Sequence, residues 1–424
     1  MKKRNLSVAI LTALTLALTA CSGGGAGTAS QPAASQGTSE AAPAGASTDA
    51  STPEATAAGD EDVIIIGGIN DLSGDGSVLG TAVNNGALVA IEEINKAGGI
   101  AGKQIKYVPY DNQNDATQTI NSYNRLVDVD KAVAVIGPPS STICMSLIEV
   151  SNEKQVPVLC VPSDPNVTMN MSTGEPYPAM FLVTQPNAIE QADWCASYCV
   201  NELGLTKGAI FYDAANSYST IMADSFTENL PNRGGEIVQS VTFQTGESDF
   251  KSQLQKIKDS GAEFLFMPNT TPNCVLIVQQ AAQIGLEIPF IGAMDMADPF
   301  LSLLDDPTIV KDAYFHAIAW MEDESLKDYC ALYESIIGEP ATVKTVQGYE
   351  AVYIIKEAIE SMDGKADAES IRYGVENNIN GLDLVGVKNY VMDPKTHAPV
   401  GMSMVCCYIE DGVLKNNGFY TPEP

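Results

Sequence analysis

The 424-residue chain carries 23 Lys and Arg against 53 Asp and Glu, a formal charge of −30, with 45% hydrophobic and 18% charged residues. That composition can fill a sizeable core, and the length suits two lobes plus extras. The acidic balance, with no Lys/Arg cluster, excludes nucleic acid as a partner. Only two histidines, His316 and His397, are present, which argues against His-based zinc sites and His-based acid–base chemistry.

Met1-Lys2-Lys3-Arg4 is basic and is followed by an apolar run from Leu6 to Ala20. The run falls short of the ~20 residues a membrane span takes, so residues 1–20 read as a secretory signal peptide. Leu18-Thr19-Ala20-Cys21 resembles the bacterial lipobox, which implies acylation of Cys21 and an N-terminal lipid anchor in the cell membrane. Beyond Cys21 the composition collapses to Ala, Ser, Thr, Gly, Gln and Pro, with no aromatic or basic residue as far as Gly59. Such a segment cannot bury enough apolar surface to offset its ordering entropy, so 21–61 reads as a disordered tether.

Eight further cysteines follow: Cys144, Cys160, Cys195, Cys199, Cys274, Cys330, Cys406 and Cys407. Their irregular spacing inside apolar runs such as VPVLCV and SMVCCYI favours buried free thiols acting as small hydrophobes. The spacing implies no metal site, and nothing in the chain implies a cofactor.

From Asp62 the chain alternates strand and helix. Val63–Gly67 is a continuous apolar run, as in a strand buried on both faces. A Gly/Asp/Ser loop, a helix ending at Lys96 and the terminating Ala97-Gly98-Gly99 follow. Then come a strand at 104–110, a helix at 116–129, a strand at 132–137, a single helix at 142–154 and a strand at 157–161. The rhythm restarts after Phe181, with strands at 208–212, 236–243, 263–267 and 290–292 and helices at 218–231, 250–260 and 274–284. Repeated β-α-β units imply α/β architecture with two doubly wound parallel-sheet lobes. In open sheets of this kind a ligand lies beyond the carboxyl ends of the strands.

Several motifs fail on inspection. GGINDLSGDG lacks the G-x-G-x-x-G spacing of a dinucleotide loop. Asp71-x-Ser73-x-Asp75-Gly76 resembles half a calcium loop, but its twelfth position is Ala82, so it reads as a turn. Glu92-Glu93 reads as a solvated helix face. No nucleophile elbow, phosphate loop or zinc-protease motif occurs, which leaves an enzyme as the least favoured class.

INDLSGDGSVLG, AIEEINKAGGIAGKQI, YDNQND, IGPPSST, QVPVLCVPSDPN, YDAANSYS, FMPNTTPNCVLIVQQAAQIGL and GYEAVYIIKEAI occur in this order. Together they resemble the bacterial Leu/Ile/Val-type solute-binding proteins, over essentially residues 62–424. The resemblance implies the type I periplasmic binding protein fold, two α/β lobes joined by three crossovers. One lobe would comprise 62–183 plus 321–400, the other 184–320 plus 401–424. Crossovers would fall near Leu182-Val183, Ala319-Trp320 and Gly401-Met402.

An amino-acid zwitterion buried between lobes needs donors for its carboxylate and acceptors for its ammonium, because an unpaired buried charge costs several kcal/mol. Ser140, Ser141 and Thr142 lie between a strand and a helix, where hydroxyls and free N–H groups can cradle a carboxylate or cap the helix. The resemblance implies that Ser141 takes the α-carboxylate. Ser163 and Asp164 follow the next strand. Asp164 would favour a cationic group in the ligand, or cap a turn with Pro165. Tyr218 stands where the family places a contacting aromatic. Asn269 and Thr270 follow another strand, with Thr270 replacing a common aromatic, as Leu79 does in the first loop. Asp295 in GAMDMAD is the chosen acid for the ammonium, although strict spacing points to Met294. The loss of rings at 79 and 270 departs from simple Leu/Ile/Val specificity. After residue 20 only Arg125, Arg233 and Arg372 remain, none in these loops, which argues against a clamp for a dianion.

The expected activity is capture of a small polar solute, foremost an amino acid, by a monomer that delivers it to an ABC transporter permease and its ATPase. A sensory module using the same fold is the alternative.

Overall fold

The computed structural model describes residues 63–420 and 422, apart from 184, 298, 401 and 403. The signal peptide, Cys21, the tether and Gly401 lie outside them. No helix among the described residues is long and apolar enough to cross a membrane.

Two sheets organise the chain. The first has strand order Gln104–Asp111, Val63–Asn70, Ala134–Ile136, Val158–Cys160, Met180–Leu182, with every pairing parallel. The second has seven strands in the order Val413–Tyr420, Met404–Glu410, Asp312–Ala317, Phe290–Gly292, Phe264–Phe266, Lys207–Asp213, Glu236–Phe243. Its five central and far strands pair in parallel, while the last two strands of the chain add antiparallel at one edge.

The short strands are apolar throughout because both faces are covered. In the first sheet, Ile64, Ile66, Ala134, Ile136 and Leu159 join the core under helix Ser77–Lys96. Ile69, Val135, Val158 and Cys160 face the opposite way, against Tyr123 and Leu126 of helix Ala116–Asp128. The second sheet alternates likewise. Phe211, Leu265 and Phe315 pack with Leu254 and Ile277, and Ile210, Phe264 and Phe266 pack with Trp194, Met222 and Phe226. This period of two is what a pleated strand imposes.

The expected helix at 142–154 is two helices, Ser141–Met145 and Ile148–Lys154. The N–H groups of Ser146 and Leu147 turn to carbonyls three residues back, on Ile143 and Cys144, and the Ser146 hydroxyl also takes the Ile143 carbonyl. These tight i→i+3 bonds close the first helix early. Glu93 is likewise not a simple solvated residue: the hydroxyls of Tyr349 and Tyr353 both donate to its carboxylate. Its neighbour Glu92 does lie on the surface, paired with Lys96.

Two close approaches fix the positions of site elements. Helix Ser77–Lys96 crosses helix Val343–Ser361 at Gly86 and Gly348, where an added Cβ would lie 1.9 Å from the carbonyl oxygen of Thr345 or Val83. Gly137 has φ +90°, and a Cβ there would meet the Ile69 carbonyl at 2.3 Å. Only glycine carries the chain from strand Ala134–Ile136 into the loop that delivers Ser140 and Ser141. None of the eight cysteines among the described residues is in a disulfide, and seven of them are buried.

Candidate functional site

The residues beyond the carboxyl ends of the first sheet's strands form one half of the site. Ser140 occupies the N-cap position of helix Ser141–Met145, yet its side chain makes no capping hydrogen bond. Ser141 is 5% exposed and Ser163 1% exposed, and neither hydroxyl has a hydrogen-bond partner. Buried hydroxyls are nearly always paired in folded proteins, so two orphans on neighbouring post-strand loops mark a place built for an external partner. Thr142, next along the helix, is exposed. The helix has five residues, too short for a substantial dipole, so the side-chain hydroxyls carry the polar capacity here.

Asp164 is fully buried. It accepts from the Asn166 N–H and the Asn166 Nδ2, each at 2.9 Å, and caps the short turn Pro165–Val167. Its other oxygen accepts from the Ser217 hydroxyl. Ser217 begins helix Ser217–Asn232, which follows a strand of the second sheet, so this bond joins the two halves. Turn capping and a ligand-facing carboxylate stood as alternatives in sequence. The capping bonds are present, together with a cross-sheet bond that sequence did not indicate.

The second half centres on Asp295, in the short turn Met294–Met296 after strand Phe290–Gly292. Met294 packs in the core, whereas Asp295 is only partly buried. Burial raises the Asp295 carboxyl above the usual carboxylate range, against the pull of Lys344 and of hydrogen bonds from Thr271 and Tyr218. The Tyr218 phenol is pushed well up by burial and by the Asp295 charge. Thr271 Oγ1 donates to the Asp295 carbonyl at 2.9 Å and accepts from Lys344 Nζ at 2.5 Å. Lys344 is buried in the first turn of helix Val343–Ser361, which packs on the first sheet's helix Ser77–Lys96. It therefore bridges the halves a second time.

Asn269 departs from its expected role. Its Nδ2 donates to the Phe211 carbonyl at 2.8 Å and its Oδ1 accepts from the Asp213 N–H at 3.0 Å. Both ends of the amide are spent bracing the neighbouring strand. Thr270 is exposed at the N-cap of helix Thr271–Gln283, and Leu79 is partly buried in the first turn of helix Ser77–Lys96. Sequence reasoning missed Ser217, Thr271 and Lys344. The one available signal for Lys344 was a lone cation at the start of an apolar helix, VKTVQGYEAVYII. Among the described residues no cluster of His, Cys, Asp and Glu could hold a metal ion.

An amino acid binding protein of Pseudomonas aeruginosa is 31% identical over 230 residues, a match that spans 54% of this chain and 60% of that protein. The chain thus covers less than two thirds of that relative. A leucine-, isoleucine-, valine-, threonine- and alanine-binding protein of the same species is 23% identical, over 75% of this chain and 83% of its own length. The solved structure of the branched-chain amino acid transporter substrate binding protein LivJ from Streptococcus pneumoniae, in complex with isoleucine, matches with a TM-score of 0.75 at 24% identity. It covers 85% of this chain and 100% of that one, a likeness of fold. The fold is that of a type I periplasmic binding protein. With residues 63–409 matched by the model of the family described as periplasmic binding protein, the chain belongs to that family.

Proposed function

We propose that the protein captures a small polar solute, foremost an amino acid, outside the cell membrane and passes it to an ABC transporter permease driven by an ATPase. The observation that carries this reading is the pair of buried, unpartnered hydroxyls of Ser141 and Ser163, the second of them one residue before Asp164, which bonds to Ser217 between the halves. Ser141 and Ser163 take the solute's carboxylate. Asp295 and Tyr218 serve its ammonium, Tyr218 also covers apolar atoms, and Ser140, Thr142, Thr270 and Leu79 line the entrance.

The lobes in this reading are 62–183 plus 321–400 and 184–320 plus 401–424, with closure about the crossovers between them. Each lobe supplies part of a hydrogen-bond set that is complete only when closed, so solute shifts the open–closed population. Cys21 carries the lipid anchor after removal of residues 1–20, the tether spaces the folded part from the membrane, and the protein acts as a monomer. The similarity to amino-acid-binding relatives supports the solute class.

Isothermal titration with a panel of the twenty amino acids tests the reading. One-to-one binding of at least one, weakened in Ser141→Ala, is the expected result. No binding to any, with uptake of some other metabolite, would reject the amino-acid class.

A further inference from the structure

The charges at the site do not balance. Asp295 has a cation of the chain beside it: the Lys344 ammonium attracts its carboxylate, and the Thr271 hydroxyl accepts from Lys344 while donating to the Asp295 backbone carbonyl. Asp164 has no such neighbour in its hydrogen-bond shell. It is fully buried, and its three donors, the Asn166 N–H, the Asn166 amide and the Ser217 hydroxyl, are all neutral. Neutral donors satisfy the lone pairs of a carboxylate but leave its charge uncompensated in a medium of low polarisability, a cost that a counter-ion removes. One residue earlier the Ser163 hydroxyl, 1% exposed, also lacks any partner, so the same post-strand loop carries a second group fit to receive something from outside the chain.

We infer that the solute bears a second cationic group, neutralised by Asp164, so that the preferred solute is an α-amino acid with a cationic side chain. Asp164, Asp295 and Lys344 together leave one negative charge, and a solute of net charge +1 cancels it. A neutral zwitterion leaves that charge buried, and an acidic amino acid doubles it. The formal charge of −30 on the whole chain works in the same direction, concentrating cations near the protein and disfavouring anions. The replacement of expected rings by Leu79 and Thr270 leaves room and polarity for a longer side chain. The inference rests on the amino-acid reading and names the class within it.

The test is calorimetry on the full chain with L-arginine and L-lysine against L-leucine and L-valine. The basic pair should bind at least tenfold more tightly. Asp164→Asn, which keeps one acceptor oxygen for Asn166 and turns an amide NH2 towards the Ser217 hydroxyl, should weaken arginine at least tenfold more than leucine. Ser217→Ala, which removes the bond between the halves but not the charge, should weaken both classes alike. Tighter binding of leucine than arginine overturns the inference and leaves the amino-acid reading intact. Equal losses for both classes in Asp164→Asn also overturn it, because Asp164 is then a closing contact only. If folded protein binds neither class nor any other amino acid, the inference and the reading beneath it fall together.

Discussion

Lys344 Nζ donates to Thr271 Oγ1 at 2.5 Å, tying the first turn of helix Val343–Ser361 to the first residue of helix Thr271–Gln283. The bond places a protein ammonium beside the acid expected to serve the solute. Lys344 draws the Asp295 carboxyl down while burial drives it up, and burial prevails. Lys344→Met removes the downward pull, so the carboxyl rises further. A solute ammonium needs Asp295 ionised, so affinity should begin to fall at a higher pH in the variant than in the wild type. Titration calorimetry across a pH series checks this, and an unchanged pH midpoint would contradict it.

Ser141→Ala and Ser163→Ala should separate stability from binding. An unsatisfied buried hydroxyl costs about 1–3 kcal/mol, so its removal leaves stability unchanged or raises it. Loss of a hydrogen bond to a charged carboxylate weakens binding by about 1.5–3 kcal/mol. The expected pattern is an equal or higher Tm without solute together with weaker binding in calorimetry. A lower Tm with unchanged affinity would assign the hydroxyls to the fold.

His316 sets an acid limit to stability. It lies buried in strand Asp312–Ala317, neither ring nitrogen has a partner, and burial lowers its pKa to about 3. A group that protonates readily only when unfolded adds stability above its unfolded pKa of 6.5 and loses it as pH falls towards 3. By pH 5 the loss is about 2 kcal/mol. His316→Leu, close in volume, should flatten the fall between pH 6.5 and 5 in denaturant titrations. An unchanged slope would show that the imidazole gains a proton in the folded state.

Glu350 acts in the opposite sense. Burial raises its carboxyl to about 7, against hydrogen bonds from the Gly386 and Val387 N–H groups and the Lys388 charge. Its contribution is full below the unfolded pKa of 4.5 and is lost as pH rises through 7. Glu350→Gln keeps an acceptor for the Gly386 N–H, now 2.8 Å from Oε1. The variant should be more stable than the wild type above pH 7, by on the order of 2–3 kcal/mol. Equal stability at pH 8 would contradict the buried, reluctantly charged carboxylate.

The strand–helix rhythm was legible because apolar runs such as Val63–Gly67 and the terminating glycines after Lys96 state local preferences that the fold does not override. The helix break at Ser146-Leu147 was not, since no Pro or Gly marks it and its cause is hydrogen bonds that tighten a turn. At the candidate site, Ser141 and Ser163 stood out in sequence as small hydroxyl residues just beyond buried strands, and both hydroxyls are buried without a partner. Asn269 looked equivalent by the same rule, and only the geometry shows its amide consumed by Phe211 and Asp213. Lys344 could not be assigned from local pattern. Its meaning comes from Thr271, 73 residues away, and a lone lysine at a helix start otherwise reads as a solvated end.

The account rests on two halves closing over a solute held from both sides. Small-angle X-ray scattering of the full chain, with and without the amino acid that calorimetry selects, tests it most directly. A smaller radius of gyration on saturation, reached only at higher solute concentration in Ser141→Ala because that variant binds more weakly, is the predicted result. Identical profiles under saturating solute, with binding confirmed in the same sample, would contradict closure.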